Sequence, residues 1–188
     1  TAATAEDLQR RVAGALTGRG WGEGDRVAVV APSSALLLVT VLAALRRGIV
    51  PVVLNAALTN HELDALVADA AVAGRLDGGD LAALVEGPPV ELAPWPRARP
   101  MHYTSGTTGR PKGVWSGVLT DEAAVALVAE EAELWSFAAD DVHLVCSPLH
   151  HSAPIRFAAG TLLAGGDVVV LEKFGAEAFV AAVAAHAP

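Results

Sequence analysis

Two short stretches of this 188-residue chain concentrate the residue types that do chemistry. The first, Tyr103-Thr-Ser-Gly-Thr-Thr-Gly-Arg-Pro-Lys-Gly-Val114, places four hydroxyls at Thr104, Ser105, Thr107 and Thr108. Serine and threonine make only 17 of the 188 residues, so the cluster is not expected from composition. Gly106 and Gly109 allow positive φ and a close approach of backbone to a ligand. Successive backbone N–H groups in such a loop form an anion-binding nest. The hydroxyls add neutral donors, and Lys112 adds a mobile point charge suited to phosphate oxygens. Pro111 stiffens the turn that presents it. Lys112 is one of only two lysines in the chain, the other being Lys173. The Walker arrangement is absent, because Arg110 and Pro111 separate Gly109 from Lys112. A plain Ser/Thr/Gly surface loop is the competing reading.

The second stretch is Cys146-Ser-Pro-Leu-His-His-Ser-Ala-Pro154. Adjacent histidines suggest a metal, or partly buried imidazoles in an ordinary loop, and no His/Cys/Asp/Glu spacing completes a metal set. Cys146 reads as a small buried strand residue, since no activating base accompanies it. Both stretches lie in acid-free segments. Leu92 to Thr120 has no Asp or Glu across 29 residues but carries Arg97, Arg99, Arg110 and Lys112, and Val142 to Gly166 has none across 25. A segment of +4 in a chain of net charge −8 predicts a local positive field for an anionic ligand, against the simpler reading of a solvated basic loop.

The elements that must position these residues alternate. Thr4 is expected to cap a helix ending near Gly18 and Gly20, followed by a buried strand from Arg26 to Ala31. Ser33 and Ser34 open an apolar helix ending at Arg46-Arg47-Gly48, and Ile49 to Leu54 is the next strand. Thr59-Asn-His-Glu62 matches a capping box for a helix to about Ala70. Gly78-Gly79, Pro88-Pro89 and the proline-rich stretch to Pro100 read as loop. Met101 to Thr104 ends a strand. Asp121 to Leu134, capped by Thr120, is a helix; Val142 to Cys146 a strand; Ile155 to Leu163 a helix; Val168 to Leu171 a strand; Ala176 to Ala185 a helix. This alternation predicts an α/β fold with substantially parallel sheets flanked by helices.

Composition sets the outer limits. The negative net charge argues against a nucleic-acid wrap or a polybasic membrane patch. An apolar fraction of 53% argues against disorder. The longest apolar run, Ala35 to Leu45, is 11 residues, against the ~20 of a membrane span. One cysteine permits no internal disulfide and predicts an intracellular, cytoplasmic setting. Homo-oligomerisation is left open by these counts. The chain begins at Thr1 rather than Met and stops at Pro188 just after an Ala-rich run, so it is expected to be part of a larger protein.

The segment from Tyr103 to Gly113 resembles the phosphate-binding signature of the adenylate-forming superfamily: acyl-CoA synthetases, adenylation domains and firefly luciferase. It matches aromatic-Thr-Ser-Gly-Ser/Thr-Thr-Gly-x-Pro-Lys-Gly at every fixed place. The resemblance implies that Thr104, Ser105, Gly106, Thr107, Thr108, Gly109 and Lys112 hold ATP phosphates, with Lys112 catalytic and Thr104 a contributor to a Mg²⁺ site. Pro148-Leu-His-His-Ser-Ala-Pro154 resembles the Pro-Leu-aromatic-His-Ser-Ala-Pro of acyl-CoA synthetases. That likeness implies that His150, His151 and Ser152 line the acyl pocket, with His150 standing where relatives carry an aromatic. Trp115-Ser-Gly-Val118 departs from the many relatives that carry a histidine or similar polar residue there. Flanking likeness runs over nearly all of residues 5 to 186.

The implied function is an ATP-dependent acid–thiol ligase: a small-molecule carboxylic acid and ATP give acyl-AMP and pyrophosphate, and CoA then takes the acyl group. The implied domain is the first part of the large N-terminal domain, residues 1–188. Relatives continue with an aromatic-Gly-x-Thr-Glu segment, a Thr-Gly-Asp segment, a hinge and a small C-terminal domain with the adenylation lysine. By itself, therefore, the chain is expected not to turn over. An adenylation domain loading a carrier protein and a non-catalytic nucleotide-binding module are the other readings.

Overall fold

The computed structural model describes residues 1–104 and 111–188. Its core forms around one helix. In α2 (Ala35–Arg46) every residue from Leu37 onward is buried, because the segment is apolar on all faces and must be surrounded. Ser34 caps it, its hydroxyl accepting from the Leu37 N–H at 3.1 Å. Around α2 pack α1 (Ala2–Gly18), α4 (Gly78–Leu84) and the strand β2 (Val50–Leu54). A parallel sheet lies beneath, in the order β2–β1–β3, with β1 spanning Arg26–Val30 and β3 spanning Gly74–Asp77. Val27 pairs with Pro51 and with Gly74, and Val30 with Leu54 and with Asp77. β1 and β2 are short, rich in valine and buried on both faces, the pattern a covered parallel sheet requires, while only Leu76 of the edge strand β3 is buried.

Arg46 is the charged exception within this core. It is only 9% exposed. Its guanidinium donates to both carboxylate oxygens of Glu6, to Gln9 Oε1 at 3.3 Å and to the Ala93 carbonyl at 2.6 Å. These partners satisfy a charge that would otherwise be prohibitively desolvated, and they tie α1, α2 and the chain before the first site segment together.

After α3 (Asn60–Ala70) and a long connection, Met101 docks on β2 by a bridge to Val52, its N–H donating to the Pro51 carbonyl at 3.0 Å. Two strands follow, β4 (His102–Thr104) and β5 (Lys112–Val114), paired antiparallel. Then come α5 (Asp121–Trp135), β6 (Val142–Val145), α6 (Ser152–Ala164), β7 (Asp167–Val170) and α7 (Ala176–His186), with β6 and β7 paired parallel. The α/β reading with parallel strands flanked by helices is thus what the structure has.

Several local expectations are corrected. Thr1, not Thr4, is the first N-cap: its hydroxyl accepts from the Thr4 N–H at 3.2 Å. Gly78-Gly79 is not loop but the start of α4, where the Asp80 carboxylate accepts from the Asp77 N–H at 2.8 Å. A helix of seven residues is too short to show periodicity against two glycines. α6 begins at Ser152, three residues earlier than expected, since a proline is tolerated in a first helical turn. The capping box at Thr59 and Glu62 is present as read, with the Thr59 N–H 2.8 Å from the Glu62 carboxylate.

Gly14, inside α1, sits where a Cβ would lie 1.8 Å from the Pro88 carbonyl oxygen, whereas nothing lies near a Cβ on Gly18. Alanine normally gains ~1 kcal/mol over glycine in a helix. At Gly14 overpacking of about 1–3 kcal/mol should outweigh that gain. Urea denaturation should therefore show Gly14→Ala destabilised and Gly18→Ala neutral or slightly stabilised. Stabilisation of both variants would show that the Pro88 segment moves away freely.

Candidate functional site

The first site segment is built on β4 and β5. Their register pairs His102 with Val114, Tyr103 with Gly113 and Thr104 with Lys112. Thr104 and Lys112 therefore face each other across the ladder at the two ends of the hydroxyl-rich loop. Ser105, Gly106, Thr107, Thr108, Gly109 and Arg110 lie outside the described residues. Gly113 gives the ladder room: a Cβ there would press on the flexible end of the Met101 side chain and lie 3.3 Å from the Tyr103 ring. Tyr103 secures the outer side of β4. Its hydroxyl lies 2.6 Å from the Asp69 carboxylate and 3.1 Å from the Leu66 carbonyl, and burial and Asp69 both raise its pKa.

Thr104 and Lys112 are both exposed. The Thr104 hydroxyl is 3.5 Å from the Lys112 carbonyl, the outer limit of a hydrogen bond, so its capacity is largely unspent. Such a hydroxyl fits one ligand of a hard cation such as Mg²⁺, and no more than one. Among the described residues no group of three or more His, Cys, Asp or Glu is placed to hold a metal.

The expected positive field needs correction. Arg97 forms ion pairs with Glu23 at 3.0 Å and, outside hydrogen-bonding geometry, with Asp121 at 3.2 Å. Arg99 pairs with Glu131 at 3.0 Å. The acids missing from the local sequence are returned by α5 and by the chain before β1. Among the described residues of that segment, Lys112 is the cation without an ion pair.

The second segment packs beside the first. Leu149 is fully buried, and its N–H donates to the Ser33 hydroxyl at 3.0 Å, which fastens the turn to the start of α2. The rings of His150 and His151 lie 4.4 Å apart. His150 shares a hollow of about 200 Å³ with Tyr103, Thr104, Pro111 and Asn55. Ser152, at the start of α6, lines a larger cleft of about 330 Å³ together with Thr104, His102 and Val114. Its remaining walls come largely from Leu127 and Val128 of α5 and from Ile155, Ala159 and Leu163 of α6. Thr104 thus stands between the two spaces. His151 is exposed and lines neither. Cys146 is half-buried directly after β6.

Two features of this cleft escaped sequence reasoning. His102 shares the Thr104 face of β4, as the two-residue period of a strand dictates, so its placement was readable once β4 was assigned. The meeting of Arg99 and Arg156 on Glu131 was not readable, because it joins three elements.

Three histidines are shifted toward the neutral form. Burial pushes His102 below the ordinary histidine range; the His150 carbonyl opposes this, and the charges of His151, Arg99 and Arg156 add to it. Burial likewise lowers His150, with help from His151 and His102, and burial lowers His143, whose ring stacks on Phe157. In the unfolded chain these groups return to about 6.5.

The comparisons with known proteins follow from the same segments. The chain matches the family described as AMP-binding enzyme over residues 1–86 and 98–188. It is 36% identical over 209 residues to a feruloyl-CoA synthase of Amycolatopsis sp, which covers 97% of this chain and 42% of that protein. A second feruloyl-CoA synthase, from Streptomyces sp, matches equally. The chain therefore spans less than half the length of these relatives. Among solved structures, ATP-bound MatB from Rhodopseudomonas palustris has a TM-score of 0.76 and 29% identity, over 97% of this chain and 42% of that one. O-Succinylbenzoate CoA synthetase from Bacillus subtilis, in complex with its acyl-adenylate intermediate, has a TM-score of 0.78 over 95% of this chain and 51% of that one. At 22% identity the latter supports the fold alone.

Because the depressed histidines bind fewer protons folded than unfolded, stability rises with pH through the window below about 6.5. It should be full above about pH 7 and decline as the pH falls toward the folded-state values. His102→Gln removes one titrating group, so the urea midpoint should fall less steeply between pH 7 and 5. An unchanged slope would show that His102 takes no part in it.

Proposed function

The chain belongs to the AMP-binding enzyme family, and from that premise we propose that it is the first part of the large domain of an ATP-dependent acyl-CoA synthetase. The whole protein would join a carboxylic acid to CoA in two steps. A carboxylate oxygen attacks the α-phosphorus of ATP, the bond to the β-phosphate oxygen breaks, and pyrophosphate leaves. The CoA thiol, losing its proton, then attacks the acyl carbon, and AMP leaves.

The observation that carries this reading is the pairing of Lys112 with Thr104, a residue that lines the cleft. It sets the residues that flank Ser105–Arg110 in sequence near the point where an acid lying in the cleft would meet a nucleotide. Ser105, Gly106, Thr107, Thr108 and Gly109 would supply hydroxyl and backbone donors to the phosphates, and Lys112 would neutralise charge that grows on the departing pyrophosphate. Adenylation needs little covalent help from the protein. It needs two anions held in line, which hydroxyls and one ammonium can do. Mg²⁺, when bound, would offset phosphate charge, with Thr104 as one oxygen ligand. Ser152 would line the acyl side and His150 the nucleotide-side hollow, with His151 reserved for contacts made by later parts of the domain.

The extent of the domain is supported by its uncovered faces. β6 and β7 form a two-stranded parallel sheet, a unit that normally needs further strands and cover on both faces. Beside them Phe174 is 61% exposed and Val180, on α7, 65%. The rest of the large domain would cover them. Among the described residues no helix is long and apolar enough to cross a membrane, and a cytoplasmic setting with ready ATP and CoA goes with this reading.

A carrier-protein acceptor is the second reading, favoured by a 35% identical stretch over 127 residues in a nonribosomal peptide synthetase of Salinispora arenicola. Supplying the whole protein with CoA or with a phosphopantetheinylated carrier after adenylation would separate the two. Carboxylate-dependent ATP–pyrophosphate exchange tests the shared first step. Lys112→Ala should lower it about ten- to a hundredfold, with Lys112→Arg intermediate. Exchange at the parental rate in Lys112→Ala would remove Lys112 from the mechanism.

A further inference from the structure

The cleft contains a charge arrangement that the adenylation step does not use. Arg99, just before β4, Glu131, late in α5, and Arg156, in the second turn of α6, all line it. Arg99 Nη1 donates to Glu131 Oε1 at 3.0 Å, and Arg156 Nε lies 3.3 Å from the same oxygen. Two guanidiniums therefore converge on one carboxylate oxygen, and the triad carries a net +1. Each guanidinium has five N–H donors, of which the contact with Glu131 occupies few.

Arg97 shows what full compensation looks like in this protein. It lies in the same segment, faces away from the cleft, and has two carboxylates, Glu23 and Asp121. By contrast, Glu131 is the single acid among the described residues lining the cleft. The triad is also partly withdrawn from water, with side chains 27%, 19% and 42% exposed for Arg99, Glu131 and Arg156. Its neighbours on the wall are apolar, among them Leu127, Val128, Ile155 and Leu163. Excess positive charge beside apolar surface is poorly solvated, and a planar oxyanion accepting two N–H bonds relieves it best.

We infer that Arg156 and Arg99 are specificity-determining residues, and that the cleft takes a compact carboxylic acid whose tail bears a second carboxylate. The reacting carboxylate lies toward Thr104, the apolar body lies between α5 and α6, and the second carboxylate accepts from the guanidiniums. As it stands, the cleft of about 330 Å³ has room for the body of a short or single-ring diacid between Thr104 and the guanidiniums. Glu131 holds the two forks in place and keeps the empty cleft from carrying +2. Apolar walls of this kind match an acyl body better than ribose or a polyphosphate.

This inference rests on the ligase reading, and one assay separates the two. Carboxylate-dependent ATP–pyrophosphate exchange by the whole protein is measured with matched pairs of acids, aliphatic from three to ten carbons and aromatic, one member of each pair a monoacid and the other its ω- or para-carboxylated counterpart. The best diacid should exceed its monoacid in kcat/KM by about tenfold or more. Arg156→Gln should bring that ratio down about tenfold, with Arg156→Lys between. Glu131→Gln should move it the other way, because it frees both forks. A general loss of packing would lower both members of a pair alike, so a ratio unmoved by Arg156→Gln and by Glu131→Gln overturns the inference. So does a parental enzyme that uses monoacids as well as or better than diacids. Exchange with no acid overturns the ligase reading, and this inference with it.

Discussion

The site depends on a three-residue ladder. β4 and β5 are so short that their pairing would not hold in isolation, yet their register sets Thr104 opposite Lys112. What holds the ladder is its anchorage. Met101 docks on β2 and buries its side chain against the absent Cβ of Gly113, while Tyr103 reaches across to α3. A slip of one residue would turn Thr104 and His102 away from the cleft and bring Tyr103 into it. Three contacts on three different elements make that slip expensive. The glycine after the lysine therefore has a packing reason that stands apart from any contact with a nucleotide.

Charge is handled by the same economy. A chain with more than half its residues apolar can bury few ions, and each one that enters the interior is met by partners from distant sequence. Arg46 gathers Glu6, Gln9 and a carbonyl; Arg97 gathers Glu23 and Asp121; Arg99 and Arg156 share Glu131. The acid-free stretches are thus not bare positive surface. Arg97, Arg99 and Arg156 act as staples between elements, and among the described residues there the cation left without an ion pair is Lys112. A lysine there has a further advantage over an arginine: a compact, strongly hydrated ammonium on a flexible stem can follow a phosphate.

Legibility in the sequence divided along physical lines. The apolar helix after Ser34, the box at Thr59 and Glu62 and the cap at Thr120 were readable because capping and periodicity are local. β3 and α4 were not, since four and seven residues carry no period and the glycines at 78 and 79 point the other way. The cap at Thr1 was misassigned to Thr4 because both threonines offer the same hydroxyl, three residues apart. The hydroxyl loop and the His150–His151 turn were found as motifs. Their proximity, through Ser33 to Leu149 and through Thr104 between the two spaces, was not contained in either motif. The Arg99–Glu131–Arg156 meeting lay beyond reach altogether, because ion pairs across 32 and 25 residues leave no local signature.

The two halves of the chain are buried to different degrees, and the cleft lies between them. The layers from α1 to α4 close around α2, and Val12, Leu16, Leu37, Val41 and Ile49 are almost entirely removed from water. In α5 and α7, by contrast, the buried residues are Ala124 and Ala182 alone. Local opening is governed by how much apolar surface must be exposed, so within this chain α5 and α7 are held less firmly than the α2 core. The ladder with Thr104 and Lys112 is docked on the α2 side through Met101, whereas Glu131 stands on the sparsely buried α5 and Arg156 on α6. On the proposed reading, the residues that would meet the nucleotide stand on the more firmly buried part, where small displacements are resisted. Those that would discriminate between acids stand on helices added to it, where a side chain can be exchanged with less loss to the α2 core.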